Sequence, residues 1–156
     1  MTAVLSLGSN LGDRLGNLRA GLELIGQIVP VLAVSGVYET EPVGVDGQDP
    51  YLNCIAVADT DDPQVALSAA QRAEDLRGRV RSGRWGPRTL DVDVVAVDAL
   101  VSADPRLTLP HPRAHERAFV LLPWLEVDRT AELSGRGPVR ALLARVDTNG
   151  VRRWPS

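Results

Sequence analysis

Residues 84–98 read RWGPRTLDVDVVAVD, and the apolar, β-branched run from Leu90 to Val97 predicts a buried strand. Side chains alternate across a strand, so Asp91 and Asp93 share one face while Leu90, Val92 and Val94 share the other. Two carboxylates whose Cα atoms lie roughly 6.5–7 Å apart on an apolar sheet repel each other and tend to take up a proton. An exposed strand face, or pairing with neighbouring arginines, would relieve them. So would divalent cations. Oxygen ligands suit Mg²⁺, and paired acids can bridge two such ions about 3.5–4 Å apart around a transferring phosphoryl group. The approach to the strand favours this last reading. Arg77, Arg79, Arg81, Arg84 and Arg88 fall within twelve residues just before the acids, and arginine's planar fork matches phosphate oxygens. Arg84-Trp85-Gly86-Pro87-Arg88 is a stiff, turn-forming stretch that delivers cations and an aromatic ring beside the carboxylates. Cations, metal ligands and a stacking surface in one place point to a nucleoside polyphosphate with Mg²⁺.

Upstream, Ala3–Leu7 predicts a short strand ended by Gly8-Ser9-Asn10, and Leu15, Leu18, Leu22 and Ile25 repeat at helical spacing. Asn10 is the expected N-cap, with Asp13 near the helix N-terminus, and Gly26 and Pro30 bracket the helix end. Val31–Glu39 predicts a second strand, 42–50 a loop and Tyr51–Ala58 a third strand. Asp61-Asp62-Pro63 starts a second helix, whose apolar face is expected at Val65, Ala69, Ala73, Leu76 and Val80. With Leu90–Val97 as the fourth strand the order is β-α-β-β-α-β: an α+β, ferredoxin-like sheet with helices packed on it. Short additions follow: Leu100–Ser102, Leu107-Thr108-Leu109, and helices near His115–Leu122 and Pro138–Val146. The tail from Arg152 to Ser156 is expected to be loosely held.

At 156 residues the chain is expected to form one domain, residues 1–156. A net charge of −3 argues against a protein that grips nucleic acid by a basic surface. The one cysteine, Cys54, allows neither an internal disulfide nor a cysteine-based metal site, and two histidines make a zinc centre a poor fit. No apolar run is long enough to span a membrane and the N-terminus lacks the pattern of a signal peptide, so a soluble, cytoplasmic protein without a membrane partner is expected; a monomer is expected as well. All seventeen basic residues are arginine. A phosphate grip by lysine, as in a P-loop, is therefore excluded, as is a Schiff base.

Only 4% of the chain is aromatic, so each ring invites a question. Tyr51 and Asn53 share a face of the third strand, a plate beside an amide, which suits a flat heterocycle held by stacking and paired hydrogen bonds. For each ring taken singly, Tyr51 and Phe119 included, core packing is the simpler explanation. Gln71 and Glu74 meet on one helix surface, either solvated or facing a ligand. His111, held between Pro110 and Pro112, could bind phosphate or donate a proton. The turn Leu7-Gly8-Ser9-Asn10-Leu11-Gly12-Asp13 lacks both G-x-G-x-x-G and a lysine and is taken as a strand-to-helix turn.

These residues resemble the 6-hydroxymethyl-7,8-dihydropterin pyrophosphokinase family of folate biosynthesis. The matching elements are Leu7–Gly12, Tyr38-Glu39-Thr40-Glu41-Pro42, Tyr51-Leu52-Asn53, Gly78-Arg79-Val80-Arg81, Arg84 through Asp93, Leu109-Pro110-His111-Pro112-Arg113 and Arg117 through Leu121. The resemblance implies transfer of the β,γ-pyrophosphoryl group of ATP, the co-substrate, to the pterin's hydroxymethyl oxygen, with release of AMP. It implies two Mg²⁺ ions on Asp91 and Asp93, and a pterin held between Tyr51 and Phe119. Asn53 would bond the pterin's edge, Thr40, Pro42 and Val43 would wall it, and Trp85 would stand at the pterin as well as at the nucleotide. ATP would meet Gln71, Glu74, Arg81, Arg88, Arg106, Thr108, His111 and Arg117. Arg79 and Arg88 would join the two acids in the catalytic step. Ser82 stands where the family can carry a lysine, and Pro112 where it can carry an aromatic. Two other readings compete. A two-metal phosphohydrolase would use water as acceptor. A ferredoxin-like RNA-binding module would need surface aromatics and a basic sheet face, which the composition opposes.

Overall fold

The computed structural model describes residues 1–41, 49–77 and 89–155 of the chain. Strand β1 (Thr2–Ser9) leads to helix α1 (Arg14–Gly26), strands β2 (Val31–Val34), β3 (Tyr38–Thr40) and β4 (Tyr51–Asp59), helix α2 (Pro63–Leu76) and strand β5 (Asp91–Val97). A 3₁₀ turn (Ala114–Glu116) precedes helix α3 (Ala118–Val127). The small strands β6 (Glu132–Leu133) and β7 (Gly137–Pro138), helix α4 (Val139–Leu143) and strand β8 (Val151–Arg153) complete the order. The main sheet runs β5-β1-β4-β3-β8, with β2 also paired to β4, and every pairing is antiparallel. With β2 and β3 counted as one interrupted strand, this is the ferredoxin-like order, extended at its far edge by β8.

The interruption replaces the single strand expected over Val31–Glu39, and Ser35 explains it. Its hydroxyl accepts a hydrogen bond from Ile55 N at 2.9 Å and donates to Gly36 O at 2.7 Å. A side chain thereby takes a place that the backbone ladder would otherwise fill. Two further boundaries move. Asp13, not Asn10, caps α1, accepting from Gly16 N at 3.1 Å, while Asn10 is buried. Strand β1 continues through Gly8 to Ser9, beyond the expected end at Leu7. The start of α2 is as expected, with Asp62 accepting from Gln64 N at 2.8 Å and Pro63 in the first turn.

Helices α1 and α2 cover one face of the sheet, burying Leu5, Leu7, Leu18, Ile25, Leu52, Leu90, Val92 and Val94. The contact face of α2 is Ala66, Ala69, Ala70, Ala73 and Glu74, whereas Val65 and Leu76, expected inside, are exposed. Small side chains let the helix lie close to the sheet, and that shifts the stripe toward the alanines; Val80 lies outside the described residues. On the opposite face α3 and α4 bury Val4, Ile55, Val95, Val120, Leu121 and Trp124. A register shift between Val4 and Leu5 adds Val95 to this second layer.

Residues 151–154 are held against the sheet, contrary to the loose segment expected from Arg152 on; Ser156 lies outside the described residues. Strand β8 pairs with β3, Arg152 Nη2 lies 2.9 Å from Glu39 Oε1, and Arg153 Nη1 lies 2.7 Å from Glu126 Oε1. Trp154 N donates to Val37 O at 2.8 Å, and its ring packs against the first core layer.

Cys54 sits in that layer, 1% exposed, and burial pushes its thiol up to about 12 from an ordinary value near 9.0. The folded protein holds this proton more tightly than the unfolded chain, so the contribution is complete below about pH 9 and is lost as pH rises toward 12. Denaturant unfolding between pH 8 and pH 11 is expected to show a shallower decline of stability in Cys54→Ala than in the wild type. Parallel declines would remove the thiol from the alkaline transition.

Candidate active site

The centre of the site is set by register. Gly8 in β1 lies opposite Asp91 of β5 on one side and Asn53 of β4 on the other, and Ser6 lies opposite Asp93 and Ile55. Cross-strand partners send their side chains to the same face. Asp91, Asp93, Asn53 and Tyr51 therefore share the α3 face, beyond the patch that Val4, Ile55 and Val95 bury beneath it. Gly8 is the close approach that makes room for Asn53 and Tyr51 beside it. A Cβ there would stand 2.9 Å from Asn53 Oδ1 and 3.5 Å from Tyr51 Cδ1. Asn53 is buried, and its Nδ2 donates to Thr40 Oγ1 at 2.8 Å, which orients the amide between β3 and β4.

Asp93 is half exposed. Arg117 Nη1 lies 3.7 Å from its Oδ2, and His111 Nε2 lies 4.0 Å from the same oxygen. The Arg117 guanidinium also lies over the Phe119 ring at 5.5 Å, within cation–π range. One cation thus joins an acid on the sheet to an aromatic plate on α3. His111 is anchored by its backbone N–H to Val95 O at 2.8 Å, and its Nδ1 accepts from Arg113 N at 3.1 Å. The neutral ring then carries its proton on Nε2, toward Asp93. Burial holds the imidazole below its ordinary pKa, with Arg117 and Arg113 acting in the same direction against the pull of Asp93.

Glu74 is buried rather than solvated, and its Oε2 accepts from Val92 N at 3.2 Å. It thereby fixes β5 at the residue between the two acids. Gln71, one turn earlier on α2, is exposed. Arg106 and Thr108 bond within their own turn, Arg106 N to Asp104 Oδ1 at 2.9 Å and Thr108 Oγ1 to Asp104 O at 3.0 Å, and the Arg106 side chain is exposed. Pro42, Val43, Arg79, Arg81, Arg84, Trp85 and Arg88 lie outside the described residues.

Among the described residues no group of three or more His, Cys, Asp and Glu side chains could hold a metal ion. A pair of acids on one strand nevertheless fits Mg²⁺, which is commonly bound by one or two carboxylates together with waters and substrate phosphates rather than by an all-protein cage. One residue of the site, Gly8, and one contact of a residue already named, Glu74, carry no sequence signal that singles them out. The sequence places Gly8 in a turn, although a glycine inside a strand pattern is itself a sign of close approach. The contact of Glu74 with Val92 left no local signal at all.

Comparison with known proteins supplies the family. A model of 7,8-dihydro-6-hydroxymethylpterin-pyrophosphokinase (HPPK) matches residues 4–129. The chain belongs to that family. It is 48% identical over 158 residues to the 2-amino-4-hydroxy-6-hydroxymethyldihydropteridine pyrophosphokinase of Mycobacterium tuberculosis, covering 92% of this chain and 83% of that one. The enzyme of the same name from Bacillus subtilis is 39% identical over 155 residues, covering 97% of this chain and 89% of that one. The chain is accordingly a pyrophosphokinase. Its fold matches a crystal structure of Plasmodium falciparum HPPK-DHPS with a TM-score of 0.73 at 15% identity, over 92% of this chain and 44% of that longer one. At that identity the likeness speaks for the fold alone.

Proposed function

We propose that this HPPK transfers the β,γ-pyrophosphoryl group of ATP to 6-hydroxymethyl-7,8-dihydropterin in folate biosynthesis, giving AMP and the pterin diphosphate. The observation that carries the reading is the row Asp91–Gly8–Asn53, which sets an acid pair one strand away from an oriented amide. Asn53 and Thr40 bind the pterin's edge, Tyr51 and Phe119 its two faces, and Pro42, Val43 and Trp85 complete that pocket. Arg117 and His111 direct their N–H groups toward phosphate oxygens beside Asp93. Gln71, Glu74, Arg81, Trp85, Arg88, Arg106 and Thr108 serve the nucleotide, and Arg79 and Arg88 assist the transfer.

The pterin's hydroxymethyl oxygen attacks the β-phosphorus, the bond from that phosphorus to the α–β bridging oxygen breaks, AMP leaves and the hydroxyl proton is released. Such a transfer needs in-line positioning and neutralised charge more than a covalent catalyst. Two Mg²⁺ ions held by Asp91 and Asp93 would supply that neutralisation between the phosphates. The reading takes residues 1–156 as one domain acting as a cytoplasmic monomer, without a nucleic-acid or membrane partner. A single sheet shared by both core layers supports the first point, and no helix among the described residues is long and apolar enough to cross a membrane.

The test is AMP formation from ATP and Mg²⁺ with and without the pterin. AMP that appears only with the pterin supports the transfer; AMP and pyrophosphate released at the same rate in its absence would establish a phosphohydrolase instead. Tyr51→Ala and Phe119→Ala are each expected to raise the pterin KM roughly tenfold, as loss of a stacked ring in a buried site does, and to leave the ATP KM nearly unchanged. Equal losses for both substrates would count against the pterin sandwich.

A further inference from the structure

Arg14 opens α1, at the helix end where the backbone dipole disfavours a cation. Its partners explain its presence. Arg14 Nη1 donates to Pro50 O at 2.8 Å and to Glu39 Oε2 at 3.3 Å, and its guanidinium lies over the Trp154 ring at 5.2 Å. The contacts fall in or directly beside three different strands: Glu39 is the middle residue of β3, Pro50 directly precedes β4, and Trp154 directly follows β8. Glu39 is held a second time, its Oε1 accepting from Arg152 of β8 at 2.9 Å. The Arg14 and Glu39 side chains are only 22% and 17% exposed, so this is more than a solvent-screened surface pair.

Thr40 and Tyr51, next in sequence to Glu39 and Pro50, are cross-strand partners. Alternation along β3 puts Thr40 on the site's face and Glu39 on the face that α1 covers. Arg14 therefore grips both strands from behind the pocket. We infer that Arg14 is a positioning residue for the pterin, setting the separation of Thr40 from Tyr51 and Asn53 by tying β3, the start of β4 and the chain after β8 to the first turn of α1. The inference rests on the proposed function and adds to it a residue on the opposite side of the sheet from the substrate.

Steady-state kinetics of Arg14→Ala, Arg14→Lys and Trp154→Ala, with each substrate varied in turn, provide the test. Arg14→Ala is expected to raise the pterin KM about fivefold to tenfold, the size of one ordinary net hydrogen bond, with the ATP KM and kcat within about twofold of wild type. Arg14→Lys keeps a donor for Pro50 and Glu39 and should recover part of the loss. Trp154→Ala should shift the pterin KM in the same direction by less. An unchanged pterin KM, or a parallel loss in kcat and both KM values, would overturn the inference while wild-type turnover still upheld the pyrophosphokinase reading. Absence of pterin-dependent AMP in the wild type would overturn both. Should Arg14→Ala not fold, Arg14→Lys and Trp154→Ala decide the matter by the same split.

Discussion

Asp93→Ala is expected to lower turnover by roughly 10²–10⁴-fold, the rate equivalent of several kcal/mol of lost charge stabilisation in the transition state. The protein itself should scarcely notice the change. Asp93 is 48% exposed, and its neighbours Arg117 and His111 stand 3.7 and 4.0 Å away. Exposed pairs of this kind contribute less than about 1 kcal/mol. A large kinetic loss with an unchanged unfolding midpoint would mark a carboxylate whose partner is supplied with the substrate. Asp93→Asn is the companion variant, keeping the shape and removing the charge. If either variant retained near-normal Mg²⁺-dependent turnover, the assignment of Asp91 and Asp93 to the metal would fail.

Gly8→Ala is expected to raise the pterin KM by about 10- to 100-fold, with a smaller effect on ATP. One methyl group suffices because its carbon would stand 2.9 Å from Asn53 Oδ1. Asn53 has nowhere easy to go: it is 3% exposed and tied to Thr40 at 2.8 Å. Either the amide turns away from the pterin's edge or β1 shifts against β4, and overpacking of this kind costs roughly 1–3 kcal/mol. Substrate kinetics beside a thermal melt separate the two outcomes. A lower melting point with an unaltered pterin KM would show that Gly8 serves packing alone.

Much of this site was legible because its signals are local. Alternation in Leu90–Val97 puts Asp91 and Asp93 on one face, and the structure leaves Val92 and Val94 in the core behind them. Aspartate followed by proline marks the start of α2, and Asp62 and Pro63 take those places. The α2 stripe was misread because Val65 and Leu76 outweigh alanines on any hydropathy count, although close helix-to-sheet contact favours the smaller residue. The order at residues 152–154 leaves no such signal because β8 has no apolar alternation; it is held by Arg152 and Arg153 on glutamates far away in sequence.

The sequence by itself determined the β-α-β-β-α-β order of the core elements, the family and the acid pair, since periodicity, caps and a dense run of family residues are all read along the chain. Only the tertiary structure decided that Gly8 stands between Asp91 and Asn53, that Glu74 holds Val92, that His111 and Arg117 converge on Asp93, and that Arg14 reaches three strands at once. Each of these depends on cross-strand register or on a contact between distant segments. A residue's local pattern says which face it takes, but not which residue waits there.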